Sequence, residues 1–343
     1  MSDPLPDMPP VRFAPVNGLQ MAYYEVARPS NPTLENAIPI VLCHGFPELA
    51  FSWRHQLRAL ETAGRWAIAP DQRGYGLTGG PGEGAPDPVE SYDADQLTSD
   101  LAALLDTLGA KQAIWCGHDW GAIIAWQMAL RQASRTAAVI SMNVPFQPHG
   151  RTDPIEQLRA HFGEQTYTVE FQTAETPDAV LNADVRRTVS FFMRRDWGGE
   201  DVRRGVGEGY AFAAFPFVRM LDQYDPAADE RPSILTDEEF GVFVRMFEQT
   251  GFTGPINWYR NLSRNWRTSA ALARRVDVPA LMIMAEFDPV LPPAACDGME
   301  RYCGRLEKVL VGESGHWTQQ EQPQQTNHFL LDWLDRHFPV PGA

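Results

Sequence analysis

The sequence predicts an α/β protein: a mostly parallel central sheet with helices on both faces, interrupted by an inserted helical cap. Three observations carry that expectation. Short apolar runs of strand length alternate with stretches of helical spacing from about Ile40 to Pro145. The alternation lapses from Phe146 to about Leu272 and resumes at Ala280. Each polar motif stands directly after one of the apolar runs, where an open parallel sheet presents groups to a ligand. With 343 residues, 44% of them hydrophobic, the chain exceeds one ordinary domain and can fill a large core. The expected division is 1–145 for the first part of the core, 146–272 for the cap and 273–343 for the second part of the core.

The elements follow in order. Val11 to Val16 and Leu19 to Ala27 read as paired strands turned at Asn17-Gly18, a dipeptide that tolerates the positive φ of a tight hairpin. Ile40-Val41-Leu42-Cys43 is a continuous apolar run, suited to a strand covered on both faces, and it leads into His44-Gly45-Phe46-Pro47-Glu48. Trp53, Leu57 and Leu60 repeat at helical spacing up to Gly64; Trp66 to Pro70 is the next strand, ending at Asp71-Gln72-Arg73-Gly74-Tyr75-Gly76. Gly79 to Pro88 is a glycine- and proline-rich surface loop. Leu97, Leu101, Leu104, Leu105 and Leu108 keep helical spacing before Gly109. A strand from Ala113, a helix from Ala122 to Leu130 and a strand within Thr136 to Pro145 complete the first half.

In the cap, Phe191, Phe192, Phe212, Phe215, Phe217, Phe243 and Phe247 are expected to form its core rather than a ligand box, since phenylalanine is so often buried. Trp197 to Gly209, rich in glycine and acids, is expected to be mobile. Ala280 to Ala285 and Leu306 to Val311 are the last strands; Phe329, Leu330, Trp333 and Leu334 form the apolar stripe of the final helix.

Composition excludes several functions. Net charge is −15 and the pI near 4.9, with Lys111 and Lys308 the only lysines and no basic cluster, so nucleic acid and anionic membranes are not expected partners. The first ten residues hold four prolines and two aspartates without a basic segment and apolar stretch, and no run approaches the roughly 18 apolar residues of a membrane span. A cytoplasmic protein, monomeric or homodimeric, is expected. Cys43, Cys116, Cys296 and Cys303 form no C-x-x-C motif, so reduced thiols and no metal site are expected.

The organising stretch is Cys116-Gly117-His118-Asp119-Trp120-Gly121-Ala122. Glycines two residues either side of Asp119 have the spacing of a nucleophile elbow, a strand-to-helix turn too tight for a Cβ at those places, with aspartate where serine is usual. A carboxylate with reference pKa about 3.9 is ionised at pH 7 and attacks carbon without a base to deprotonate it. Alone, Asp119 could equally be the N-cap of the helix. Asp288 and His316, each after a later strand, complete the chain order nucleophile, acid, histidine. Glu286, Glu313 and Asp297 compete for the acid, but the Asp288-Pro289 turn favours Asp288; Asn143 holds the other place where an acid could follow a strand. His44, His118 and His149 are expected to make supporting hydrogen bonds.

The chain resembles the soluble epoxide hydrolases of the α/β-hydrolase superfamily over nearly its whole length. The resemblance rests on His44-Gly45-Phe46-Pro47-Glu48, Ser52-Trp53-Arg54, Gly74-Tyr75-Gly76, Gly117-His118-Asp119-Trp120-Gly121, Asn257-Trp258-Tyr259-Arg260, Asp288 and Gly315-His316-Trp317-Thr318. It implies an α/β-hydrolase fold, no cofactor, and two cap tyrosines that hold the epoxide oxygen, matched here by Tyr259 and by Tyr167. Tyr23, Tyr24, Tyr210 and Tyr224 keep packing and surface roles. The implied chemistry starts with attack by Asp119 on an epoxide carbon while a tyrosine protonates the leaving oxygen. Water activated by His316 and Asp288 then hydrolyses the ester to a vicinal diol, with the backbone N–H groups of Phe46 and Trp120 as the oxyanion hole. Phe46, Pro47, Trp120, Tyr167 and Tyr259 are the expected substrate contacts, and the aromatic content suggests an apolar epoxide. A haloalkane or haloacid dehalogenase would use the same nucleophile, but many haloalkane dehalogenases have a halide-binding asparagine where this chain has Phe46. A ligand receptor on the same fold would not need all five reacting groups.

Overall fold

The structure, a computed structural model, describes residues 5–30, 38–79, 88–195 and 215–340. Among them eight strands, β1 (Val11–Val16), β2 (Leu19–Val26), β3 (Ile40–Cys43), β4 (Ala67–Pro70), β5 (Ala113–His118), β6 (Thr136–Met142), β7 (Ala280–Ala285) and β8 (Leu306–Val311), form one sheet in the order β1-β2-β4-β3-β5-β6-β7-β8. The β1–β2 hairpin and the β2–β4 pairing are antiparallel, and every pairing from β4 to β8 is parallel. The continuous apolar runs are thus the strands buried on both faces, as such runs must be in a sheet covered on two sides.

Three helices of the first half are α1 (Arg54–Thr62), α2 (Ala94–Leu108) and α3 (Trp120–Arg131). Between β6 and β7 stand α4 (Pro154–Phe162), α5 (Tyr167–Glu170), α6 (Thr176–Ala183), α7 (Val185–Phe192), α8 (Phe217–Asp222), α9 (Asp237–Thr250), α10 (Thr253–Arg260) and α11 (Leu262–Thr268); after β8 come α12 (Thr318–Glu321) and α13 (Pro323–His337). Alternate strand residues face opposite sides. Ile40, Leu42, Ile114 and Ile140 pack with Leu57, Leu60, Leu330 and Trp333 of α1 and α13. Val41, Cys43, Trp115 and Val139 face Leu101, Leu104, Ile124 and Met128 of α2 and α3, in an apolar cluster that runs on into the cap. The cap therefore sits over the carboxyl ends of the parallel strands as an extension of the core.

Local chemistry sets the element ends. Asn17 and Gly18 take φ of 43° and 82°, as a two-residue hairpin turn requires. Asp93 caps α2 by accepting the Gln96 N–H at 2.9 Å, and Gly109 ends it at φ 76°. The run from Thr136 stops pairing at Met142, short of Pro145, because Asn143 turns the chain at φ 68°. Ala27, at φ 50°, similarly ends β2 one residue early.

Trp197 to Gly209, with Tyr210 and Phe212, lies outside the described residues. All four cysteines are buried and free. Among the described residues no helix is long and apolar enough to cross a membrane, and no group of three or more His, Cys, Asp or Glu side chains could hold a metal ion.

Candidate active site

The turn between β5 and α3 holds Asp119 at φ 51°, ψ −124°, a conformation that costs an L-residue free energy and persists only where its surroundings enforce it. The flanking glycines supply that enforcement. A Cβ on Gly117 would stand 2.1 Å from the Gly121 carbonyl oxygen, and one on Gly121 would stand 1.9 Å from that of Cys43. Asp119 occupies the N-cap position of α3 yet makes no side-chain cap hydrogen bond. Its Oδ1 instead accepts the Phe46 N–H at 2.8 Å, and the Trp120 N–H adds a second backbone donor. The cap reading of this aspartate is therefore set aside.

The loop after β3 brings the Phe46 N–H into place. Burial lowers the pKa of His44 to about 4, so the ring is neutral; its Nε2 accepts the Gln72 N–H at 3.0 Å and its Nδ1 lies 3.0 Å from the Gly45 carbonyl. Glu48 Oε2 accepts the Gly45 N–H at 2.9 Å and lies 2.7 Å from His118 Nδ1, while Oε1 accepts the amides of Gln319 and Gln320. His118 Nε2 in turn reaches the His316 carbonyl at 2.7 Å. These contacts behind the site join residues 48, 118 and 316, a link that no local sequence pattern reveals.

His316 lies between two carboxylates. Its Nδ1 is 3.0 Å from Asp288 Oδ2 and its Nε2 is 3.8 Å from Asp119 Oδ2, the second distance too long for a direct hydrogen bond. Asp288 also accepts the Val290 and Leu291 N–H groups on Oδ1 and the Asn143 amide on Oδ2 at 2.5 Å. Glu286 turns away to accept the Glu313 N–H. Burial works against an ionised Asp288, but the His316 ring and the Asn143 amide outweigh it and hold its pKa below the ordinary value. Burial likewise disfavours a charged His316, but Asp288, Asp119 and Glu48 raise its pKa to about 9. Asp119 is pushed above the ordinary carboxylate value by burial, which His316, His118 and the two backbone donors offset only in part.

Tyr167, at the start of α5, and Tyr259, in α10, face Asp119 from the cap, their ring centroids 5.7 Å apart. Burial raises both phenol pKa values, so both stay protonated donors near neutral pH. The cavity they close measures about 20 Å³ and is lined by Phe46, Asp119, Tyr167, Phe192, Phe217, Tyr259, His316 and Trp317 among the described residues. That volume suits one water molecule, on the usual requirement of about 10–15 Å³, so a substrate enters only as the side chains around it shift.

One expectation needs correction. Phe192 and Phe217 line the cavity instead of serving only the cap core, because α7 and the start of α8 face the carboxyl ends of the strands; Phe191, Phe215, Phe243 and Phe247 are core. The Trp120 ring stands edge-on to Tyr259 at 4.9 Å and its side chain donates a hydrogen bond to the Tyr259 hydroxyl, while Pro47 is buried in the loop after β3.

The alpha/beta hydrolase fold family matches residues 38–323. Epoxide hydrolase A of Mycobacterium tuberculosis is 40% identical over 336 residues, which cover 95% of this chain and 97% of the relative. The chain belongs to the epoxide hydrolases of the α/β-hydrolase fold. Solved structures agree: epoxide hydrolase A from Mycobacterium thermoresistibile is 38% identical with a TM-score of 0.78, and an epoxide hydrolase from Vigna radiata is 29% identical with a TM-score of 0.77. Each alignment covers 95% of this chain and 98% of the other. Membership in the epoxide hydrolases sets aside the dehalogenase and receptor readings. An epoxide hydrolase must attack carbon from one side and protonate oxygen on the other. Asp119 and the two tyrosines line one cavity.

Proposed function

We propose that the chain opens apolar, aryl-bearing epoxides to vicinal diols through a covalent ester on Asp119. The observation that carries this reading is the Asp119 carboxylate, with Oδ1 held by the Phe46 N–H, Oδ2 turned towards His316 at 3.8 Å, and both cap tyrosines lining the same cavity. Asp119 Oδ2 forms a bond to one epoxide carbon, that carbon's bond to the ring oxygen breaks, and Tyr167 or Tyr259 gives the oxygen a proton. Esterification removes one of the two anions facing His316. The imidazolium that both had stabilised then loses its proton more readily, to the tyrosinate left by ring opening by way of solvent. The neutral ring becomes the base that takes a proton from the attacking water and passes it to the departing diol oxygen, and the acid proton of the regenerated Asp119 restores the imidazolium. Asp288 keeps the ring oriented, and the Phe46 and Trp120 N–H groups meet the oxyanion, each worth about 3–4 kcal/mol in comparable sites.

Single turnover in heavy-oxygen water tests the order of steps. The label is expected in the Asp119 carboxylate, detected by peptide mass; label in the diol from that first turnover means direct attack by water and overturns the ester. Substrate class follows from the wall. Apart from the reacting groups, the described lining is Phe46, Phe192, Phe217 and Trp317, with nothing to pair a substrate charge. Styrene oxide is therefore expected to exceed epoxysuccinate in kcat/KM by at least about 100-fold, since an unpaired carboxylate there would lose its hydration. Comparable values for the two would count against the apolar assignment.

A further inference from the structure

Two hydroxyls carried on segments far apart in sequence must meet at one oxygen atom, and misplacement by about 1 Å costs on the order of a hundredfold in rate. The residues that tie these segments together are not in the cavity. Gln172 Nε2 donates to the Tyr259 carbonyl at 3.0 Å and to the Thr168 carbonyl, next to Tyr167, at 2.9 Å. Arg260 follows Tyr259 and reaches back across the same seam. Its Nε donates to the Phe171 carbonyl at 3.1 Å, Nη2 to the Thr173 carbonyl at 2.8 Å and Nη1 to Asn257 Oδ1 at 2.9 Å, while both terminal nitrogens pair with Asp178. All five guanidinium donors are engaged, a set that lysine, with three donors at one point, cannot reproduce. Between them Phe171, fully buried, stands edge-on to both tyrosine rings, at 5.6 and 5.0 Å.

We infer that Gln172 and Arg260 are positioning residues for ring opening, acting as a clamp that sets the separation and aim of the Tyr167 and Tyr259 hydroxyls. The inference rests on the ester mechanism above and goes beyond it in assigning a task to residues that touch no substrate. Ester hydrolysis, run by His316 from the opposite side, does not depend on the clamp. A loosened clamp therefore slows the first step alone.

The test is rapid-mixing single turnover with styrene oxide on Gln172→Leu, Arg260→Lys and the unsubstituted chain, following tryptophan fluorescence and quenched intact mass. The alkylation rate constant is expected to fall at least tenfold in both variants while the ester-hydrolysis rate constant stays within twofold. Lost folded protein lowers the amplitude and not the rate constant, so partial misfolding does not imitate the effect. On a Tyr259→Phe background, Gln172→Leu is expected to cost less than it does alone, the mark of residues acting through one another. Alkylation at the unsubstituted rate, equal slowing of both steps, or full additivity with Tyr259→Phe overturns the clamp. Absence of any Asp119 adduct on the unsubstituted chain overturns the ester mechanism, and the clamp with it.

Discussion

His316→Gln is expected to leave the protein as an Asp119 ester: alkylation proceeds and hydrolysis slows by about 10²–10⁴-fold, the range general-base catalysis supplies. Intact mass after mixing with styrene oxide should show one substrate attached per chain. Peptide mapping should place it on the segment containing Asp119. A variant that stays unmodified and is merely inactive would count against the division of labour between the two residues. The unsubstituted protein offers a related measurement. At rest the His316 pKa is raised to about 9 by the surrounding carboxylates, which outweigh its burial. The ester state lacks the Asp119 charge. Hydrolysis of the preformed ester should accordingly speed up as pH rises through a value lower than that at which the resting ring titrates, as the neutral ring becomes available, and an apparent pKa no lower than the one measured for the resting ring would mean that esterification does not relieve it.

The paired substitution Tyr167→Phe with Tyr259→Phe is expected to lose ring opening almost entirely. Removing one preorganised donor to a developing oxyanion costs about 10²–10³ in rate, and here both donors go, although the two losses need not multiply. Each single variant keeps one hydroxyl and should retain measurable alkylation. Phenylalanine preserves the ring contacts with Phe171 and Trp120, so a fall in rate with unchanged thermal stability isolates the hydroxyl. The readout is the single-turnover alkylation rate. If the double variant alkylates at the unsubstituted rate, proton donation comes from elsewhere and the cap tyrosines are wall residues only.

The core was far more legible in the sequence than the cavity. Strands such as Ile40–Cys43 announce themselves because a strand covered on both faces needs continuous apolar residues, and few other structures of that length do. Asp119 could be singled out because steric crowding on both sides admits only glycine, which leaves a readable spacing. Asp288 and His316 were reachable from their positions after strands, and the structure brings them together at 3.0 Å. Phe192 and Phe217 were not separable from Phe191 and Phe215, since a cavity wall and a core ask for the same side chain and only the three-dimensional facing differs. Tyr167 rested on the family resemblance alone, because no local pattern marks one hydroxyl among many. The link from Glu48 through His118 to the His316 carbonyl spans sequence separations of 70 and 198 residues, so only the folded chain discloses it.

The hydrogen bond from the Phe46 N–H to Asp119 Oδ1 has a consequence for the fate of individual atoms over many cycles. When the ester is cleaved at its acyl carbon, the oxygen that attacked the substrate departs with the diol, and the oxygen from water takes its vacated place. The oxygen held by the amide stays behind. Provided the carboxylate does not spin about its Cβ–Cγ bond, one position is renewed at every cycle and the other dates from the ribosome. The aspartate is thus half permanent fixture and half consumable, replenished from solvent.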